Sequence, residues 1–113
     1  MNVVVLQGVL SSDPVSRQLA SGSTLLSLEL TTQVDGAAAS VPVAWFDPPA
    51  EVGWAAGEQL LVTGSVRRRF FRNGGLTQSR TEVVASEVVP VGKRRQARAA
   101  LGRAVAAAEA TTC

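Results

Sequence analysis

The chain is 113 residues long, with eleven basic and nine acidic side chains, no histidine and a single cysteine, Cys113. That length suits one domain with a tail, and the residue supply leaves no disulfide framework and no Cys/His metal cluster. No apolar run comes near the ~20 residues that a membrane-spanning helix needs. Met1 to Leu10 has no basic leader, so no signal peptide is expected and a reducing, cytoplasmic setting is. Charge is uneven: ten of the basic residues fall between Arg67 and Arg103 beside only Glu82 and Glu87, a net +8, whereas residues 1–66 carry −5. Such a segregated basic segment is the footprint expected of a site for an anionic partner.

Val3-Val4-Val5-Leu6 opens with consecutive apolar residues, which predicts a strand covered on both faces. Gly8 within it predicts a bulge or sharp bend, of the kind small barrels use to turn corners. Ser11-Ser12-Asp13-Pro14 breaks the strand, with Asp13 as a turn residue, and Ser21-Gly22-Ser23 marks a second turn. Leu26, Leu28, Leu30, Thr32 and Val34 then alternate with Ser27, Glu29, Thr31 and Gln33, the pattern of a half-buried strand. A connection over Asp35 to Ser40, turning at Asp35-Gly36, leads to a third strand from about Val41 to Phe46. Val41, Val43 and Trp45 share one face of it and Phe46 lies opposite; Pro42 marks an edge or an irregular start. Asp47 ahead of Pro48-Pro49 predicts a short capped helix, with Val52 and Trp54 turned inward and Gly57 as its stop.

Gln59 to Phe71 and Leu76 to Val89 read as a long hairpin turning at Asn73-Gly74-Gly75. Leu60, Val62, Gly64 and Val66 fall on one side of its first strand; Thr63, Ser65, Arg67, Arg69 and Phe71 fall on the other. A polar face carrying two arginines and an aromatic suits a partner with a charged backbone and flat, unpaired rings, which single-stranded nucleic acid offers together. Phe70 is expected to pack inward or at a subunit contact. After Pro90 comes a different composition: Lys93-Arg94-Arg95, then mostly Ala, with Ala97, Leu101 and Val105 at four-residue spacing. That spacing allows a helix over 95–109, but an Ala-rich face holds poorly alone in water, so a flexible or weakly helical tail is expected.

Five strands with a helix between the third and fourth is the order of an OB-fold, a five-stranded Greek-key barrel in the all-β class; parity alone does not demand closure, and a five-stranded open sheet reads similarly. The expected division is an OB-fold domain over 1–90 and a basic Ala-rich tail over 91–113. No enzyme and no cofactor are expected: the body lacks His and Cys, its carboxylates are scattered, and no glycine loop of phosphate-cradling type is present.

From Met1 to about Val89 the chain resembles the bacterial single-stranded DNA-binding proteins. The resemblance rests on Asn2-Val3-Val4-Val5-Leu6-Gln7-Gly8-Val9-Leu10 with Asp13-Pro14, Ser21-Gly22 before the alternating strand, and Phe46 closing the third strand. Gly64-Ser65-Val66-Arg67 running to Phe71, and Thr81-Glu82-Val83-Val84-Ala85 with Glu87-Val88, complete it. It implies a sheet that binds single-stranded DNA with stacking aromatics at Phe46 and Phe71, a homotetramer built from dimers, and a place in replication, repair, recombination or DNA uptake, near the nucleoid. Family tryptophans on the second and third strands have no counterpart here, Ser40 standing near one of them, and Trp45 and Trp54 read as core residues. The family's glycine-rich linker and acidic tip are replaced by the basic tail, which leaves recruitment of replication or recombination proteins open.

The expected nucleic-acid contacts are therefore Phe46, Arg67, Arg69, Phe71, Arg72 and Arg80, with the arginines on phosphates. Against this stand plainer roles: Phe46 covering a barrel mouth, Phe71 tucked beside Phe70, and the tail's Lys93, Arg94, Arg95 and Arg98 as solvated charge. Two other functions compete. One is an OB-fold interaction module of the primosomal replication protein N type, which also lacks the acidic tip; the other is binding of RNA or duplex by the basic face.

Overall fold

The computed structural model describes residues 1–110; Cys113 and the end of the tail lie outside the described residues. The chain runs β1 (Val4–Leu10), β2 (Val15–Gln18), β3 (Thr24–Val34), β4 (Ala37–Phe46), β5 (Gln59–Asn73), β6 (Leu76–Pro90) and α1 (Arg94–Ala110). Neighbours in the sheet follow β1-β5-β6-β4-β3, and β1 pairs again with β3, so five strands close into a barrel; β2 lies on the edge of β3. All pairings are antiparallel except β4 with β6, which run parallel at Val43–Val83 and Ala44–Val84. This closed five-stranded barrel is consistent with an OB-fold. The four-residue β2 was not expected from the sequence; all its residues are exposed, so it carries no apolar alternation to read.

Alternation builds the core. Leu26, Leu28 and Leu30 of β3, Val43 and Trp45 of β4, Leu60 and Val62 of β5, and Val83, Ala85 and Val88 of β6 point inward with Leu10. Each fully buried Leu or Val contributes about 1.5–3 kcal/mol. Closure happens at Gly8. Register along β1–β5 is continuous there, with no bulge, but a Cβ on Gly8 would overlap the Thr31 carbonyl oxygen of β3, so only glycine lets the two backbones approach. The one register shift of the long hairpin falls instead at Thr63/Gly64, where β6 gains a residue opposite β5.

Both tight turns are set by their residues. Asp35 and Gly36 have φ of 50° and 79°, and Gly74 and Gly75 have 61° and 82°, the paired positive values of two-residue hairpin turns. β4 therefore starts at Ala37, earlier than expected, with Pro42 opposite Glu29 just before β6 begins to pair. No helix forms between β4 and β5. Asp47 takes φ 49° and accepts a hydrogen bond from the Thr24 amide at 2.9 Å, so its carboxylate ties the loop to β3 instead of capping a helix. Two prolines and two glycines within Pro48–Gly57 leave too short a run to offset helix nucleation. The apolar part of the expectation holds: Val52 and Trp54 pack on the core, and Trp54 stacks on Trp45 at 6.1 Å between centroids. Asp13 accepts from the Ala56 amide at 2.8 Å and pins the far end of this loop.

The C-terminal segment is a helix close to the 95–109 that the spacing allows, and it docks on the barrel, which corrects the expectation that the tail is flexible or only weakly helical. Ala97 and Ala100 pack on Leu61 and Val89 on the outer side of β5 and β6, and Ala104 is buried one turn further on, while Leu101 and Val105 remain exposed. The docked stripe is thus the small-residue one, which lets the helix axis approach the sheet closely. Arg103 donates two hydrogen bonds to Glu87, from Nε to Oε2 at 2.8 Å and from Nη2 to Oε1 at 2.7 Å. That hydrogen bonding holds the Glu87 carboxyl below the ordinary glutamate range; partial burial opposes the shift and the Arg103 charge adds to it. In β1, Val4 and Leu6 pack inward, but Val5 and Val9 are exposed on the outer side, so this strand is covered on one face only within the chain.

Candidate nucleic-acid interface

β5 and β6 outrun the barrel. β1 pairs with β5 only as far as Val4–Gly64, and β4 meets β6 only at Val83 and Val84. Beyond that point Arg67 to Asn73 and Leu76 to Glu82 pair only with each other, forming a two-stranded arm. Asn2 marks its root: its side-chain amide donates to the Val66 carbonyl at 2.7 Å and accepts from the Val66 amide at 2.9 Å. One side chain thereby extends the β1–β5 ladder by a residue. The turn fixes the register, so Arg67 faces Glu82, Arg69 faces Arg80 and Phe71 faces Gln78 on one surface of the arm.

On this front surface the expected residues come together in pairs. The Arg67 guanidinium carbon lies 5.2 Å from the Phe46 ring centroid, and that of Arg69 lies 5.7 Å from the Phe71 centroid. Both distances are within cation–π range. Glu82, with only 6% of its side chain exposed, links them. Its Oε2 accepts from Arg67 at 3.1 Å, and its Oε1 stands 3.6 Å from Arg69 Nε. The second distance is an ion pair without a hydrogen bond, so the buried Arg69 Nε is left with no acceptor. Two arginines directly across a ladder repel. Here Arg69 leans on Glu82 and Arg80 on Glu29, at 2.9 Å, which relieves the Arg69–Arg80 contact. Glu29 also accepts weakly from Ser40, at 3.4 Å.

Phe71 is 38% exposed and Phe46 is partly buried, so neither ring is sealed in the barrel. Arg72 lies on the opposite surface, in register with Thr77, and hydrogen-bonds the Gly75 carbonyl at 3.2 Å. The two glutamates were not singled out from the sequence. Counting outward from Gly74-Gly75 places Glu82 against Arg67, so that contact was legible; the Glu29–Arg80 pair needs the β3–β4–β6 packing. A cleft of about 520 Å³ elsewhere, lined by Ser16, Gln18, Thr24, Asp47 and Glu51 among others, offers carboxylates and no cation, and so does not suit an anion. No helix is long and apolar enough to cross a membrane among the described residues. No family model matches the chain, and no curated protein matches it.

Proposed function

We propose that the protein is an OB-fold binder of single-stranded DNA with little sequence preference, acting in DNA replication, repair, recombination or uptake. The observation that carries this is the front surface of the arm, where two guanidinium groups lie on two aromatic rings and share one buried carboxylate. Arg67, Arg69 and Arg80 contact phosphates, and Arg72 reaches the backbone at the arm's tip. Bases stack on Phe46 and Phe71. In the free protein Glu82 and Glu29 occupy the places phosphates take, so binding exchanges a carboxylate for a phosphate and the rings are held in position beforehand. The exposed edge of β1 and its outward Val5 and Val9 suit pairing with a second copy, and a homotetramer built from such dimers is the expected assembly.

The test is affinity for labelled oligo-dT. Phe46→Ala and Phe71→Ala should each lose about 1–3 kcal/mol, the general range for one stacked base. Unchanged binding by both variants removes the stacking role. Arg67→Ala should flatten the dependence of log K on log salt by about 0.7, one phosphate on a single strand. Oligo-U and duplex competitors separate an RNA or duplex binder from this reading, and sedimentation as a monomer at micromolar concentration would end the assembly proposal.

The acid–arginine pairing also favours a second reading. Because Glu82 and Glu29 offset much of the front charge, the surface suits a protein partner, as in an interaction module of the primosomal replication protein N type. Strong capture of replication proteins together with feeble oligo-dT affinity would select it.

A further inference from the structure

The arm has a second surface, of which the proposed function uses only Arg72 at the tip. Arg68, Phe70 and Arg72 alternate with Arg67, Arg69 and Phe71 and so point the other way, opposite Thr81, Ser79 and Thr77. This surface continues the inward side of the barrel, where Leu60 and Val62 are buried. Past Val66 no neighbouring strand remains to cover it. Phe70 is 66% exposed there, far more than Phe71. Of the two places expected for it, inside the barrel or at a subunit contact, this exposure overturns the first, and no contact within the chain covers the ring.

Charge separates the two surfaces. The only carboxylate between Arg67 and Glu82 is Glu82 itself, and it sits on the front with Arg67 and Arg69. Arg80 is held by Glu29. On the reverse, Arg68 makes no hydrogen bond or ion pair among the described residues, and Arg72 bonds only the Gly75 carbonyl. The reverse surface thus carries two cations without a counter-charge, placed on either side of an exposed ring. Four extended residues put Arg68 and Arg72 about 13 Å apart along the strand with Phe70 midway.

The geometry points to Arg68, Phe70 and Arg72 as a second contact surface for the same unpaired strand, one base stacking on Phe70 while the flanking guanidinium groups hold phosphates, so that the strand wraps the arm. This rests on the reading of the protein as a single-strand binder. It assigns the strand a longer path than the front surface alone provides.

The experiment compares oligo-dT of about 6 nucleotides, near the short end of the roughly 4–16 that one such barrel covers, with oligo-dT of about 20, beyond its long end. Phe70→Ala should bind the long oligonucleotide about 10-fold more weakly, the size of one lost stack, and the short one as the parent does. Arg68→Ala with Arg72→Ala should weaken the long one and flatten its salt dependence. Photocrosslinking of an iodouracil-substituted strand should give an adduct on Phe70. Parent-like binding of the long strand by Phe70→Ala, or adducts confined to the front surface, overturns the proposal. So does a loss that follows a change in sedimentation, which would make Phe70 a subunit contact. Front-surface failure looks different: Phe46→Ala and Phe71→Ala are then silent on both lengths while Phe70→Ala still weakens binding.

Discussion

The same two strands behave as two materials along their length. Between Gln59 and Val66 and between Val83 and Pro90, β5 and β6 have neighbours on both sides or a helix above them, and their buried core residues are Leu, Val and Ala. From Arg67 to Glu82 they have only each other, and the residues become Arg, Phe, Thr and Ser. An isolated two-stranded ribbon is marginal in water. This one is held by its glycine turn, by the Asn2 amide at its root and by the Glu82 carboxylate across its front. The division teaches that stability and recognition are separated along one hairpin, so substitutions should affect one or the other.

The largest effect belongs to the barrel half. Leu60 is fully buried, and Leu60→Ala should cost about 2–5 kcal/mol in urea unfolding. Phe70→Ala, in the arm, should stay within about 0.5 kcal/mol on the same measurement. Comparable losses at both positions would mean that the arm is part of the cooperative core and that the comparison fails.

The root of the arm should give an intermediate effect. Asn2→Ala removes two exposed hydrogen bonds to Val66, which together amount to about 1 kcal/mol. Amides from Arg67 to Phe71 should then exchange with solvent several-fold faster, while those of Leu60 to Val62 keep their protection. Uniform acceleration through β5 would show that Asn2 braces the barrel and not the arm.

Most of the barrel half could be read from the chain, because burial there imposes a period of two: alternation puts Leu26, Leu28 and Leu30 on one face with Val34, and Leu60 and Val62 on one side with Val66; the leucines and Val62 are buried, and Val34 and Val66, near the strands' outer ends, are exposed. The turns at Asp35-Gly36 and Gly74-Gly75 followed from residue chemistry. What did not follow had non-local causes. Asp47 serves the Thr24 amide of β3 in place of a helix start. The buried stripe of α1 is Ala97, Ala100 and Ala104 in place of Ala97, Leu101 and Val105, since the close approach of Ala97 and Ala100 to Leu61 and Val89 favours the smaller side chains. In the site, Arg67, Arg69 and Phe71 share a surface as parity required, but Arg72 alternates away from them, and the carboxylates that organise the arginines come from cross-strand register.

The helix that covers the barrel half offers the smallest and most specific test. α1 has no acidic residue in its first turn and no basic residue in its last, and it opens with Arg94-Arg95, so its charges oppose its own dipole. Docking must therefore hold it, and the Arg103–Glu87 pair is the polar part of that docking. Because Glu87 titrates below a free glutamate, the pair stabilises the docked state fully above the range where a free glutamate ionises. The contribution fades as pH falls through the lower range where Glu87 itself takes up a proton. Arg103, raised by the same contact, stays charged throughout and adds no pH dependence of its own there. Helix content followed by circular dichroism should decline slightly over that acid window in the parent and not in Glu87→Gln, while arm amides exchange unchanged. A decline of equal size in Glu87→Gln would transfer the acid sensitivity to another carboxylate and leave the alanine stripe as what holds α1 against the sheet.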